Sequence, residues 1–194
     1  MSETTQPQAS QSQAFQEQAS QPQTSQPQGP QPQAPQPQAL QEQDDAEVRR
    51  NNRAVVEQYM NCRGEDRLKR HLLFTEDGVG GLWTTDTGEP IAIRGRDTLG
   101  EHAVWSLKCF PDWAWINVEI FETQDPNRFW VECDGEGRIL FPGYPEGYYQ
   151  NHFLHSFEFE NGKIKLQREF MNPNQQLRAL GIPVPVVKRE GIPT

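Results

Sequence analysis

NHFLHSFEFENGKIKLQREF, residues 151–170, alternates apolar and polar side chains on both sides of Asn161-Gly162. A period of two marks a strand, and Asn-Gly is the pair best suited to the tight turn joining two antiparallel strands. The stretch therefore predicts a long hairpin. A regular hairpin sets Glu160 opposite Lys163, Glu158 opposite Lys165, Leu154 opposite Glu169 and Phe153 opposite Phe170. The opposite charges of Glu158 and Lys165 support that register. One face then carries Phe153, Phe157, Phe159, Ile164, Leu166 and Phe170, interrupted by His155 and Arg168. The other carries His152, Leu154, Glu169 and Met171, and becomes polar toward the turn. Glu169 is the odd residue: its neighbours on that face, Leu154, Gln167 and Met171, offer it no charge.

Moving toward the N-terminus, WAWINVEIFE (113–122) and RFWVECDGEGRIL (128–140) flank a QDPN turn and read as a second hairpin, with GEG (135–137) as a turn of its own. GVGGLWTTDTGEPIAIRG (78–95) reads as a short hairpin. Three helical segments come earlier or between. DDAEVRRNNRAVVEQYMNCRG (44–64) has Asp44 and Asp45 as caps and a stripe of Val48, Val55, Val56, Tyr59 and Met60 before Gly64 ends it. EDRLKRHLLF (65–74) sets Leu68 and Leu72 at α-helical spacing. TLGEHAVWSLKCFP (98–111) places Thr98 and Glu101 in capping-box relation and stops at Pro111. Helices followed by long antiparallel strands indicate an α+β domain, with helices covering one face of a curved sheet.

The 194 residues carry a net charge of -9 with 34% hydrophobic side chains. That allows one core. An acidic balance without a basic cluster argues against nucleic acid or an anionic membrane as partner. No apolar run is long enough to span a membrane, and the start, MSETTQPQAS, lacks the basic and apolar regions of a secretory signal. Cys62, Cys109 and Cys133 are scattered and odd in number, so a disulfide framework is not expected and a reducing, cytoplasmic setting is. Residues 1–43 are Gln, Pro, Ser and Ala in near-repeats, too poor in large apolar side chains to offset chain entropy. They are expected to form a disordered, solubilising tail before a single domain, 44–194.

On the third helix, Leu99, Ala103, Ser106 and Phe110 form the inward stripe, with His102 at its edge. An inward His and Ser on a helix, with an inward Glu on a strand, suggest a polar spot within an apolar cavity. The plainer alternative is that His102 and Ser106 satisfy core groups while Glu169 pairs with an arginine. Other chemistries lack support. His152 and His155 are three apart on a strand, point to opposite faces and cannot chelate one metal together. No cysteine pair has zinc spacing, GEG has no phosphate-loop context, and Ser106 has no nucleophile elbow. The tryptophans read as core. No residue pattern calls for a cofactor or metal.

RRNNRAVVEQYM, RHLLFTEDGVGGLWTTDTGEPIAIRG, EHAVWSLKCFPDW, FPGYPEGYYQNHFLHSFEFENGKIKLQREFMNP and LGIPVPVVKREGIP together make residues 44–194 closely resemble the phenazine-biosynthesis protein A/B family. That family lies within the SnoaL-like and ketosteroid-isomerase-like superfamily. The resemblance implies a cone-shaped α+β fold, a strongly curved mixed or antiparallel sheet wrapped around N-terminal helices with an internal pocket, and a homodimer. The implied activity is a cofactor-independent condensation of two amino-oxo-cyclohexene carboxylic acid molecules, amine onto ketone, to a tricyclic phenazine precursor. It further implies acid-base roles for Glu169 and His102, and a pocket lined by Arg70, Ser106 and Tyr149. Some paralogues lack the acid and the histidine, and this chain has both. Alternation from His152, however, places Tyr149 on the face opposite Glu169 unless GYYQNH contains a bulge. With helices over one sheet face, the face around Phe157, Phe159, Ile164 and Leu166 is expected to meet a second subunit. A ketone isomerase or polyketide cyclase, or a silent ligand-binding dimer, remains the alternative.

Overall fold

The computed structural model describes residues 37–186 and 188–191; most of the Gln/Pro tail, residues 1–36, lies outside the described residues. Helix α1, Pro37–Asn61, starts earlier than the acidic pair suggested. A proline is well placed in a first helical turn, where its missing N–H has no partner to lose. Asp44 and Asp45 therefore lie inside α1 and do not cap it. Its buried side is Asn52, Val56, Tyr59 and Met60, whereas Val48 stands exposed.

Gly64–Leu73 is a 3-10 helix, not an α-helix. Side chains three apart eclipse in that geometry, so its inner side is Arg67, Arg70 and Leu73. Leu72, which α-helical spacing had set inward with Leu68, is 52% exposed. Helix α2, Arg96–Cys109, also begins early, with Gly95 at φ 90° as its N-cap and no side-chain cap bond. The capping box of Thr98 and Glu101 does not form, because Thr98 already stands inside the first turn. A short α3, Pro173–Ala179, went unread in the sequence although Asn172-Pro173 is a good start signal; Asn172 accepts from the Asn174 N–H at 3.1 Å.

Six strands form one open sheet in the order β2-β1-β6-β5-β4-β3. They are β1 Phe74–Leu82, β2 Ile91–Arg94, β3 Ala114–Glu122, β4 Arg128–Ile139, β5 Gly147–Glu160 and β6 Lys163–Met171. All neighbours are antiparallel except β1 and β6, so the sheet is mixed. The expected α+β class and its three hairpins are present. GEG is not a turn: Gly135 and Gly137 sit inside β4. A Cβ at Gly135 would fall 2.4 Å from the Trp113 ring and 2.7 Å from that of Trp115. The glycine is there because two indoles press on the strand.

The β5–β6 hairpin holds the decisive departure. Asn161 and Gly162 adopt positive φ, 51° and 73°, as the turn requires, and Glu160 does pair with Lys163. A β-bulge then follows. Phe159 pairs with Ile164 but Glu158 pairs with Leu166, leaving Lys165 extra, so Ser156 meets Arg168, His155 meets Glu169, Leu154 meets Phe170 and Phe153 meets Met171. One inserted residue exchanges the faces of the rest of β6. The face expected to meet another subunit is corrected accordingly: Phe157, Phe159 and Ile164 are buried in the core with α1 and Phe129. The Glu158–Lys165 pairing is also corrected. Glu158 binds Arg168, while Lys165 reaches Asp77 and Glu160.

The energetics of burial explain this choice. Without the bulge, Arg168 would enter the apolar core, where an unpaired cation costs several kcal/mol. With it, Arg168 lies outside, donating to Ser156 Oγ at 3.0 Å and to Glu158. A carboxyl enters in its place, and that group, unlike a guanidinium, can become neutral by holding a proton.

Candidate active site

Between the inner sheet face, the 3-10 helix and α2 lies a cavity of about 380 Å³. Arg70, His102, Ser106, Tyr149 and Glu169, the five residues singled out from sequence, all line it. The bulge at Lys165 is what places Tyr149 and Glu169 on one face. No irregularity in GYYQNH is needed, since Tyr149, Phe153 and His155 already share the inner side of β5. The rest of the wall is largely aromatic, from Phe110, Trp113, Phe141 and Phe153. Trp113 and Trp115 thus serve core and cavity together. Trp105, which was expected in the core, is 44% exposed and stacks on His102 with centroids 5.3 Å apart.

Glu169 enters from β6 with a quarter of its side-chain surface bordering the cavity. Among the described residues its carboxyl makes no arginine ion pair; His155 stands beside it, with Nδ1 3.8 Å from Oε2. Desolvation raises its pKa from an ordinary 4.5 to about 7, outweighing Arg70, which pulls the other way. His102 is shifted down from 6.5 by burial. It is therefore neutral at pH 7 and available to accept a proton. Burial pushes the Tyr149 hydroxyl up, and it accepts from Asn151 Nδ2 at 2.9 Å. No hydrogen bond among the described residues joins His102 to Glu169.

Arg70 lies over the Tyr59 ring, 4.6 Å from its centroid. One nitrogen makes a long 3.4 Å bond to the Cys62 carbonyl and Nε, buried, has no partner. Among the described residues Arg70 forms no ion pair with a carboxylate, and its contacts are the Cys62 carbonyl and Tyr59, so the cation is suited to an incoming anion. Sequence reasoning missed Arg67. It is 4% exposed, donates to Ser106 Oγ at 2.8 Å and to the Phe110 carbonyl, and has its pKa lowered to about 10 by burial and by Arg70. A three-residue period, applied to Arg67, Arg70 and Leu73, would have found it. The two guanidiniums make a positive pole at one side of an acidic protein's cavity, with the Glu169 carboxyl and the His102 imidazole on other walls. An aromatic cavity with cations at one side and titratable groups on its other walls suits a ring bearing an anionic group.

Residues 35–194 match the family described as Phenazine biosynthesis protein A/B. Phenazine biosynthesis protein PhzB1 of Pseudomonas aeruginosa is 75% identical over 151 residues, covering 78% of this chain and 93% of the relative. Phenazine biosynthesis protein PhzA2 of the same species is 63% identical over 151 residues, covering 78% and 93%. Among solved structures, a phenazine biosynthesis-related protein (phzb2) from P. aeruginosa superposes with TM-score 0.77 at 73% identity, covering 78% of this chain and 99% of that one. A Xanthomonas campestris protein described as a putative polyketide cyclase shares the fold alone, with TM-score 0.58 at 13% identity, covering 69% and 98%.

Proposed function

The chain belongs to the phenazine biosynthesis protein A/B family, and we propose that its cavity joins two amino-oxo-cyclohexene carboxylic acid molecules by double imine formation. The observation that carries this reading is Glu169, a carboxyl with pKa near 7 inside an aromatic cavity beside Arg70. As the amine of one molecule adds to the ketone of the other, the Glu169 carboxyl gives its proton to the carbonyl oxygen. Neutral His102 takes the proton that the nitrogen sheds. The His102 imidazolium then gives its proton to the carbinolamine hydroxyl, which leaves as water. The nitrogen's remaining proton passes to the Glu169 carboxylate, so a C=N bond remains and both residues return to their starting states. Repetition at the second amine and ketone closes the central ring and releases a second water. Two amines and two ketones give two imines and two waters, so the step needs neither oxidant nor reductant. Arg70 holds a substrate carboxylate by its planar fork, and Arg67 sets Ser106 and Tyr149 faces the same space. Holding both reactants together supplies further rate.

Incubating the unstable aminoketone with and without protein, and following tricyclic product by mass and absorbance, tests this directly. Equal rates would end the condensation reading. A carboxyl with pKa near 7 is also half-ionised at neutral pH, which keeps a ketone isomerase as second reading. Turnover of a polycyclic ketone, with no gain in condensation, would favour it.

We further propose a cytoplasmic homodimer, assembled through the outer sheet face. Trp130 and Leu154, each 42% exposed, and Phe121, 46% exposed, stand there with Phe170, which stacks on Trp130. Apolar side chains so grouped on a sheet favour burial against a second copy. A monomeric mass in solution at micromolar concentration would refute it. Among the described residues no helix is long and apolar enough to cross a membrane. We propose that residues 1–36 of the Gln/Pro segment serve as a solubilising tail, because their composition is poor in core-forming side chains. Because α1 reaches back to Pro37, deletion of residues 1–36 is the suitable cut. It is expected to leave Tm and turnover unchanged; a lowered Tm or lost rate in the truncated protein would show that the tail belongs to the fold.

A further inference from the structure

Behind Glu169 lies a buried pair that the scheme above does not use. Gln167 and His155 are 2% and 0% exposed. The Gly81 N–H donates to Gln167 Oε1 at 3.3 Å, and Gln167 Nε2 lies 3.1 Å from His155 Nδ1. A backbone N–H can only donate, so the carbonyl end of the amide faces Gly81 and the NH2 end faces the imidazole. His155 Nδ1 is therefore an acceptor, and the neutral ring carries its proton on Nε2. The same Nδ1 is 3.8 Å from Glu169 Oε2. We propose that Gln167 and His155 are a positioning pair for Glu169: anchored by Gly81, Gln167 locks the imidazole in its Nε2–H tautomer, so the ring presents neither a proton nor a positive charge to the carboxyl. The assignment rests on the catalytic reading of Glu169 and names the device that keeps that acid protonated.

The packing opposes the charged state of the ring, while Gln167 selects between its neutral tautomers. Trp115 meets it perpendicularly with centroids 4.7 Å apart, and Phe153 and Phe157 stack on it at 6.0 and 6.2 Å. Nε2 has no hydrogen-bond partner, so an imidazolium would be a buried charge without solvation. Burial, helped by Arg70, lowers the ring's pKa to about 3. A glutamate or aspartate at position 167 would reverse this logic by accepting from Nδ1–H and favouring a charged ring.

Other groups facing Glu169 do not supply the missing partner. Arg70 of the 3-10 helix is the cation felt by both Glu169 and His155. Tyr59 of α1, Cys133 of β4 and Tyr149 of β5 also feel the Glu169 charge, and burial raises the pKa of all three, so they remain protonated. Arg67, His71, His102 and Asp86 complete the titratable lining.

The test reads the ring and the carboxyl without substrate, so it is independent of whether condensation is the reaction. In the wild-type chain, ¹⁵N NMR of His155 from pH 8 to pH 5 is expected to show a protonated Nε2 and a bare Nδ1 throughout. An Nδ1–H tautomer or an imidazolium in that range would overturn the proposal. Gln167→Met removes the donor at nearly constant volume and leaves the ring free to turn Nδ1–H toward Glu169. A hydrogen bond to the ionised form lowers a carboxyl's pKa. The Glu169 carboxyl titration, read by ¹³C NMR, should fall by about one pH unit or more, and the alkaline limb of product formation should move down with it. An unchanged titration in the folded variant would also overturn it. Should that variant not fold, the wild-type tautomer alone decides. A wild type that makes no product would remove the condensation reading without touching the tautomer result.

Discussion

Glu169→Gln should abolish most of the catalysed condensation while making the protein more stable at pH 8. The rate loss expected for removing a general acid is about 10²- to 10⁴-fold. The stability gain follows from the direction of the pKa shift. Below about pH 4.5 the carboxyl is protonated in both folded and unfolded chains, and it contributes nothing. Between 4.5 and about 7 the folded state keeps a proton that the unfolded state has lost, so stability falls as pH rises through this window. Above it the ionised group is buried at a full cost of about 3 kcal/mol, at 1.36 kcal/mol per pH unit. The amide carries no such cost. Its Tm should exceed wild type by about 5 °C or more at pH 8, and the difference should vanish near pH 4. Parallel measurement of melting and product formation checks both halves. A variant that keeps its rate and melts lower would make Glu169 a structural acid.

The second large effect is expected at the positive pole. Arg70→Met keeps the packing on Tyr59 but removes the fork offered to a carboxylate. Loss of a charge-assisted hydrogen-bonded contact, about 1.5–3 kcal/mol, should raise KM roughly 10- to 100-fold. Arg70→Lys should restore only part of this, because an ammonium lacks the planar two-point geometry. Arg70 also holds the Glu169 pKa down. Removing it should move the alkaline limb of kcat to higher pH, the direction opposite to Gln167→Met. An unchanged KM in a folded Arg70→Met protein would show that the carboxylate binds elsewhere, and Arg67 would be the next residue to test.

Much of this architecture is legible in local pattern. Asn161-Gly162 specifies its turn because only positive φ at both positions matches the twist of the flanking strands. The helical stripe of Leu99, Ala103, Ser106 and Phe110 places Ser106, with His102 beside it, on the cavity because a 3.6-residue period is a property of the helix itself. Arg67 stayed hidden because nothing in EDRLKRHLLF distinguishes a 3-10 from an α-helix until Arg67 finds Ser106 and the Phe110 carbonyl. GEG looked like a turn because the indoles that require glycine, Trp113 and Trp115, belong to other parts of the chain or its folded neighbourhood.

By itself, then, the sequence determined the hairpin, the α+β order of elements and the helix that carries His102 and Ser106. Tertiary structure alone decided which face Glu169 takes. Turn chemistry and strand period act over a few residues and predict a regular ladder from Lys163 to Met171. The extra residue at Lys165 is favoured only when the whole sheet is in place. Then β1 runs beside β6, Asp77 can receive the Lys165 ammonium, and Glu158 and Ser156 can receive Arg168 outside the core. A carboxyl that can hold a proton is a cheaper burial than a guanidinium that cannot lose one, and that difference sets the acid inside.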